Sequence, residues 1–170
     1  IDNNVFVDAI FRGSAVAADS VMAKASPAYN PNVKKYDQNI EKAKELLKEA
    51  GYPNGIDLQL WVMDDGPRVD MCVIIQDQLK AVGINVEIKV FEFGAYVSKT
   101  ALPDKELYFL SWNSSGDGDA SLYPLFHSTQ HGASGNRSFY SNKEVDDLLD
   151  KARTSVNQDE RTEIYKKVQD

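Results

Sequence analysis

Two aspartates stand two residues apart in a polar stretch of the chain. Asp117 and Asp119 lie in 113–121 (NSSGDGDAS), with Gly116 and Gly118 interleaved and no apolar residue larger than alanine. A carboxylate in such a loop can pair with a ligand ammonium, and the exposed N–H groups around the glycines can hold ligand carbonyls. Two close carboxylates could also work as an acid/base pair, the arrangement of a hydrolase. A calcium loop fails on spacing. Asp117, Asp119 and Ser121 match its first, third and fifth positions, but Leu122 stands where glycine is needed and Ser128 where glutamate is needed. His127 and His131 have the spacing of a zinc helix, yet Ser128 occupies the place of its glutamate, so both read as ordinary histidines. Cys72 falls on an apolar helix face, where a structural thiol is the default. A Gly-x-Ser-x-Gly elbow, a P-loop and a dinucleotide fingerprint are all absent from the sequence.

The elements around these residues read clearly. Apolar residues make up 42% of the 170 and charged residues 26%, which fits a folded domain with a real core and argues against disorder. The formal net charge of −7 repels phosphate backbones, so no nucleic-acid partner is expected. A single cysteine excludes an internal disulfide. Residues 4–11 read as a helix stopped by Gly13, and 14–37 as a long loop holding Pro27 and Pro31. A helix follows at 39–50, with Ile40, Ala43, Leu46, Leu47 and Ala50 as its apolar stripe and Glu41–Lys44 and Glu45–Lys48 as wet-side pairs. Residues 56–62 alternate as a strand, 63–67 turn, 68–82 form a helix closed by Gly83, and 84–91 alternate again. Strand, helix, strand with short connections is a βαβ unit, parallel and right-handed. A short helix is predicted over 93–101 and a buried third strand over 107–112, from whose end the Asp117 loop leaves. Ligands in open α/β sheets bind at such strand ends. Residues 122–128 are compact and aromatic, and Ser141 with Glu144 caps a helix over 143–154. The first helix has almost nothing before it, and 157–170, capped by Asn157 with Glu160 three residues on, runs to the last residue without a stop signal. The chain is therefore expected to be a piece of a larger protein.

Five segments, in register over essentially the whole chain, are similar to one family. They are LLKEAGYPNGIDLQLWV (46–62), IQDQLKAVGINVEIKVFEFGAYV (75–97), SGDGDASLYPLFHS (115–128), GNRSFYSNKEVDDLLDKAR (135–153) and ERTEIYKKVQ (160–169), with FVDAIFRGSAVAADS (6–20) fitting as well. The chain resembles the family 5 extracellular solute-binding proteins, the oligopeptide- and dipeptide-binding components of bacterial ABC importers. The resemblance implies an α/β fold with a mixed sheet containing the βαβ unit, flanked by helices, as one lobe of a two-lobe, cluster C type protein. Residues 1–170 would be a single ligand-binding lobe, with the first lobe and the hinge missing and the loop 14–37 lying against missing parts.

What that implies for function is capture of a peptide outside the cytoplasmic membrane and delivery to a membrane permease. The intact protein would be periplasmic or lipid-anchored, would need no cofactor, and would not be an enzyme. The ligand-facing set carried over is Trp112, Ser114, Ser115, Gly116, Asp117, Asp119, Asn136 and Arg137. Dipeptide binders of the family place an aspartate, the partner of the peptide α-amino group, three residues after the tryptophan. Here Ser115 holds that place, so Asp117 is the expected substitute and Asp119 the second choice. Ser111 replaces the glycine usual before the tryptophan. Val62 falls near the arginine that clamps a dipeptide carboxylate, which points to a longer peptide or another solute. The alternatives are a nickel complex, glutathione, an oligosaccharide or an opine on the same fold, a hydrolase using Asp117 and Asp119, or an interaction module using 14–37.

Overall fold

A computed structural model describes residues 1–113 and 116–170. Two compact units emerge. The first comprises 1–17, 36–96 and 104–110, and the second 18–35, 97–103 and 111–170.

The first unit opens with α1 (Asn4–Ala9), followed by α2 (Ile40–Glu49) and then β1 (Ile56–Met63), α3 (Gly66–Lys80) and β2 (Ile84–Phe91). Helix α4 (Phe93–Thr100) starts in this unit, and β3 (Leu107–Phe109) completes its sheet. The strand order is β2-β1-β3. The sheet, expected to be mixed, is parallel in both described pairings, from Ile56 opposite Ile84 to Met63 opposite Phe91 and from Leu60 opposite Leu107 to Val62 opposite Phe109. Alternation in β1 and β2 turns Leu60, Val62 and Val86 inward onto Cys72 of α3, where Val69, Ile75, Leu79 and Phe109 close the cluster. The strand starts are clamped by glycine. Gly55 and Gly83 both have left-handed φ, +87° and +89°, and a Cβ at Gly55 would overlap the Gly83 carbonyl oxygen.

Three expectations shift here. Helix α3 begins two residues earlier than the predicted 68, because Asp65 caps it by accepting from the Arg68 N–H at 3.2 Å and Pro67 fits its first turn. The third strand stops at Phe109 rather than at residue 112. Its ladder spans only Leu60–Val62, and the Phe109 carbonyl is taken by the buried Tyr96 hydroxyl at 2.7 Å. Leu110 and Trp112 are consequently exposed. On α2 no residue is buried, and the structure pairs Glu45 with Lys42 at 2.7 Å where Lys48 was expected.

Cys72 has no exposed surface, and burial pushes its thiol up to about 11. At pH 8 the native protein is expected to resist alkylation by iodoacetamide and the unfolded protein to take up one equivalent. Rapid labelling of the native protein, followed by intact mass, would contradict this packing.

The second unit holds α5 (Gly118–Phe126), two single 3-10 turns (Ser128–Gln130 and Gly132–Ser134), α6 (Lys143–Thr154) and α7 (Gln158–Val168). Its core is Met22, Ala28, Leu122, Leu149, Ala152, Ile164 and Tyr165. Asn142, not Ser141, caps α6, accepting from the Glu144 N–H at 2.9 Å. Asn157 caps α7 as predicted, but Glu160 turns to the Ser155 hydroxyl at 2.8 Å and to Lys151 at 3.0 Å instead of back to the cap. Much of the long loop is held by its own chain. The Gln169 amide donates to the Ala28 carbonyl at 2.6 Å and its oxygen accepts from the Ser20 hydroxyl at 2.7 Å, while Asn30 donates to the Lys166 carbonyl at 3.0 Å. Residues 20–30 thus lie on α7.

Candidate functional site

The predicted polar loop is shorter than its composition suggests. Asp117 is the N-cap of α5: its Oδ1 accepts from the Ala120 N–H at 3.1 Å. Its own carbonyl accepts from the Ser121 hydroxyl at 2.7 Å. The stretch 118–126, read as loop and aromatic cluster, is therefore helix despite Pro124 within it. The signal was present as an aspartate followed by small residues and an apolar run, but the second aspartate and the two glycines masked it. Gly116 takes a left-handed φ of +81°, and its carbonyl accepts from the buried Ser26 hydroxyl at 2.7 Å. Beside this turn lies an open groove of about 250 Å³, bordered by Ser26, Pro27, Gly116, Asp117, Gln158 and Tyr165.

The expected ligand residues separate into groups. Trp112 is 44% exposed, and its indole N–H reaches the Ala120 carbonyl at 3.4 Å, which sets the ring against the first turn of α5. Asp117 is also exposed, and among the described residues no cation is in ion-pair contact with it. Ser114 and Ser115 lie outside the described residues.

Asp119 sits in the first turn of α5 and meets Arg153, the last-turn arginine of α6. One carboxylate oxygen stands 3.1 Å from the Nε as an ion pair, and the other accepts its hydrogen at 3.2 Å. The Arg153 guanidinium lies 3.7 Å over the Tyr123 ring, and Tyr123 in turn stacks on His127 with centroids 4.3 Å apart. Arg161 donates to the Tyr165 hydroxyl at 3.3 Å. That bond is the main cause of its raised pKa, and the charges of Asp117 and Asp119 add to it. Arginines 153 and 161 were not singled out from the sequence. Their signal was positional: acidic residues at the start of one helix and basic residues on neighbouring helices compensate each other.

Asn136 and Arg137 hold the loop together. Asn136 has no exposed surface; its amide donates to the His127 and Tyr140 carbonyls at 3.2 and 2.8 Å. Its oxygen accepts from the Ser138 hydroxyl at 3.0 Å and the Tyr140 N–H at 3.1 Å. Arg137 is buried and donates to the Val97 carbonyl at 2.7 Å and the Thr100 hydroxyl at 3.0 Å. The described hydrogen bonds of both residues run to groups of the same chain.

His127 is buried, with Nδ1 accepting from the Thr129 N–H at 3.1 Å. Next to it, Asp146 accepts from the Ser128 N–H at 2.9 Å and the Ser128 hydroxyl at 2.6 Å. Burial works to raise the Asp146 pKa, but the two Ser128 bonds and the nearby histidines outweigh it and hold the carboxyl below its ordinary 3.8. A lowered folded-state value means the stabilisation is complete above the unfolded value and fades as pH falls through the folded one. Asp146→Ala is expected to cost about 1–3 kcal/mol near neutral pH. Its deficit against the parent should narrow below about pH 4. Urea unfolding across pH reads this, and a deficit unchanged down to pH 2 would remove the charge from the account.

One unit carries a parallel βαβ sheet, and the other a helix capped by an exposed aspartate with an exposed tryptophan against its first turn. The chain belongs to the bacterial extracellular solute-binding proteins, family 5, whose family model (described as "Middle") matches residues 1–133. It is similar to the glutathione-binding protein GsiB of Escherichia coli, at 34% identity over all of this chain and 35% of that protein. It is also similar to the dipeptide-binding protein of Escherichia coli, at 29% identity over 99% of this chain and 33% of the relative. Among solved structures it matches the periplasmic binding protein DppA from Helicobacter pylori in complex with the peptide STSA. That match has a TM-score of 0.92 and 35% identity, covering 99% of this chain and 33% of the other. The chain thus spans about a third of the length of the curated relatives it matches.

Proposed function

We propose that residues 1–170 form one ligand-binding lobe of a solute-binding protein that captures short peptides outside the cytoplasmic membrane. The intact protein, periplasmic or lipid-anchored, hands them to an ABC permease. The observation that carries this reading is the exposed Asp117 carboxylate at the α5 N-cap, set beside the exposed Trp112. It belongs to a chain whose relatives include a dipeptide-binding protein and a structure holding a peptide. A carboxylate fixed by its cap bond is pre-organised for an ammonium group, and in a cleft that excludes water such a pair gains strength. Trp112 offers a large, stiff apolar surface for an adjoining residue.

The lobe binds and does no chemistry. Asp117 serves as a helix cap and Asp119 pairs with Arg153, so the two carboxylates are engaged in separate contacts and are not set as a pair. A glutathione reading stands second. It is favoured by the 34% identity to GsiB, and it fits the same chemistry because glutathione is itself a peptide with an α-amino group.

Mass spectrometry of small molecules released by denaturing the intact protein, purified without added ligand, tests the proposal. A ladder of short peptides is expected. A single non-peptide species would remove the peptide assignment.

A further inference from the structure

Ser26 is a buried polar residue, 8% exposed, on the long segment before α2. Its hydroxyl donates to the Gly116 carbonyl at 2.7 Å, and its oxygen accepts from the Ala28 N–H at 3.2 Å. The Ala28 N–H occupies a lone pair, and the one hydroxyl hydrogen is left for Gly116. The serine is itself held from both sides. Its N–H donates to the Ala23 carbonyl at 2.9 Å, and its carbonyl accepts from the Tyr29 N–H at 3.0 Å. Met22 and Ala28, which flank it, are core residues, and Gln169 at the end of α7 donates to the Ala28 carbonyl at 2.6 Å.

What the Ser26 bond fixes is a peptide plane. The Gly116 carbonyl and the Asp117 N–H belong to one planar trans unit, so the direction of the carbonyl sets the direction in which Asp117 leaves the turn. Gly116 has a left-handed φ of +81° and no side chain, so the local chain leaves this plane free to turn. The cap bond from the Ala120 N–H orients the Asp117 carboxylate after the plane; the Ser26 bond orients the plane before it. Ser26, Gly116 and Asp117 all border the same open groove.

Resting on the peptide reading above, we propose that Ser26 is a positioning residue of the amine site, holding the Asp117 carboxylate where a ligand ammonium meets it. Residues 20–30 are then a working part of the site and not only a connection between helices. Without the Ser26 bond the turn samples more arrangements, and the cost of ordering it falls on ammonium binding.

The test uses the intact protein and two probes, tri-alanine and N-acetyl-tri-alanine, each titrated by calorimetry. Acetylation removes the ammonium and keeps the rest of the peptide, so the ratio of the two affinities reads the Asp117 pairing. A general weakening of the fold lowers both affinities together and leaves the ratio unchanged. The parent is expected to favour tri-alanine by about tenfold or more. Ser26→Ala should reduce that ratio by about threefold to tenfold, while Ser26→Thr, which keeps the hydroxyl, should retain it. Ser26→Cys has nearly the same shape and a weaker donor; it should fall between the parent and Ser26→Ala, and it carries the test if the alanine variant does not fold. A parental ratio in Ser26→Ala, or in Ser26→Cys where the alanine variant is unfolded, would overturn the role of Ser26 and leave the amine reading of Asp117 standing. An equal loss in Ser26→Thr and Ser26→Ala would also overturn it. A ratio near one in the parent, or no binding of either probe, would overturn the amine reading itself and this inference with it.

Discussion

Asp117→Asn in the intact protein is expected to weaken peptide binding by about tenfold to a hundredfold while leaving the melting temperature nearly unchanged. The two halves of that result separate the two jobs of one side chain. As a helix cap, asparagine is about as good as aspartate, so the bond from the Ala120 N–H survives the substitution. The loss of favourable charge at the α5 N-terminus costs only about 0.5 kcal/mol. As the partner of an ammonium group, asparagine is much poorer, because it retains the acceptor and loses the charge. A charge-assisted hydrogen bond contributes about 1.5–3 kcal/mol, which sets the expected factor. Asp117→Ala should lose both functions, adding about 0.5–2 kcal/mol of destabilisation to the binding defect. Calorimetry with a peptide probe and a thermal melt on the same samples read the two halves. Parental affinity in Asp117→Asn would reduce Asp117 to a cap and end its assignment as the amine partner.

The distinction explains which parts of the site were legible in the sequence. Elements with a strong local period were. The alternation of 56–62 and 84–91, the apolar stripe of 39–50 and the cap at Asn157 lead directly to β1, β2, α2 and α7, because each is written in a local pattern. The third strand was overextended, since 107–112 is apolar throughout and nothing local announces that its ladder spans only three residues of β1. The Asp117 segment was misread for the opposite reason. Its glycines and polar residues look like loop, yet Gly118 is buried against Tyr165, a residue 47 positions away that no local window contains. Asn136 and Arg137 show the same limit from another side. A buried asparagine that satisfies four partners and an exposed one that could touch a ligand are identical in sequence; only the long-range hydrogen bonds tell them apart. Arg153 went unnoticed because its partners, Asp119 and Tyr123, lie on a different helix.

Those long-range contacts also make the site rigid. The α5 N-terminus is set by four kinds of restraint at once: the Asp117 cap, the Ser26 bond to Gly116, the Asp119–Arg153 pair and the packing of Gly118 on Tyr165. A binding group positioned by several independent restraints needs little further ordering when a ligand arrives, which conserves affinity.

The last of these restraints is the most sensitive to a single atom. A Cβ on Gly118 would overlap the Tyr165 ring, coming within 2.7 Å even of Cε2. Tyr165 is 2% exposed and packed in the core with Leu122, Leu149 and Ile164, so it has no empty space into which to retreat. Gly118→Ala is therefore expected to destabilise the protein by about 3 kcal/mol, the upper part of the range for overpacking. The helix-propensity gain of alanine, about 1 kcal/mol, opposes this and is too small to cancel it. The strain falls one residue from Asp117, so the variant should also bind peptide more weakly than the parent at equal folded fraction. Reducing the opposing side chain provides the check. Tyr165→Leu alone should be destabilising, through lost packing and the lost phenol partner of Arg161. Added to Gly118→Ala it should cost less than it does in the parent, because the leucine leaves room for the new methyl group. A double-mutant cycle by urea unfolding measures that coupling. Additive costs would mean that the two residues do not press on each other, and the packing that fixes the start of α5 would have to lie elsewhere.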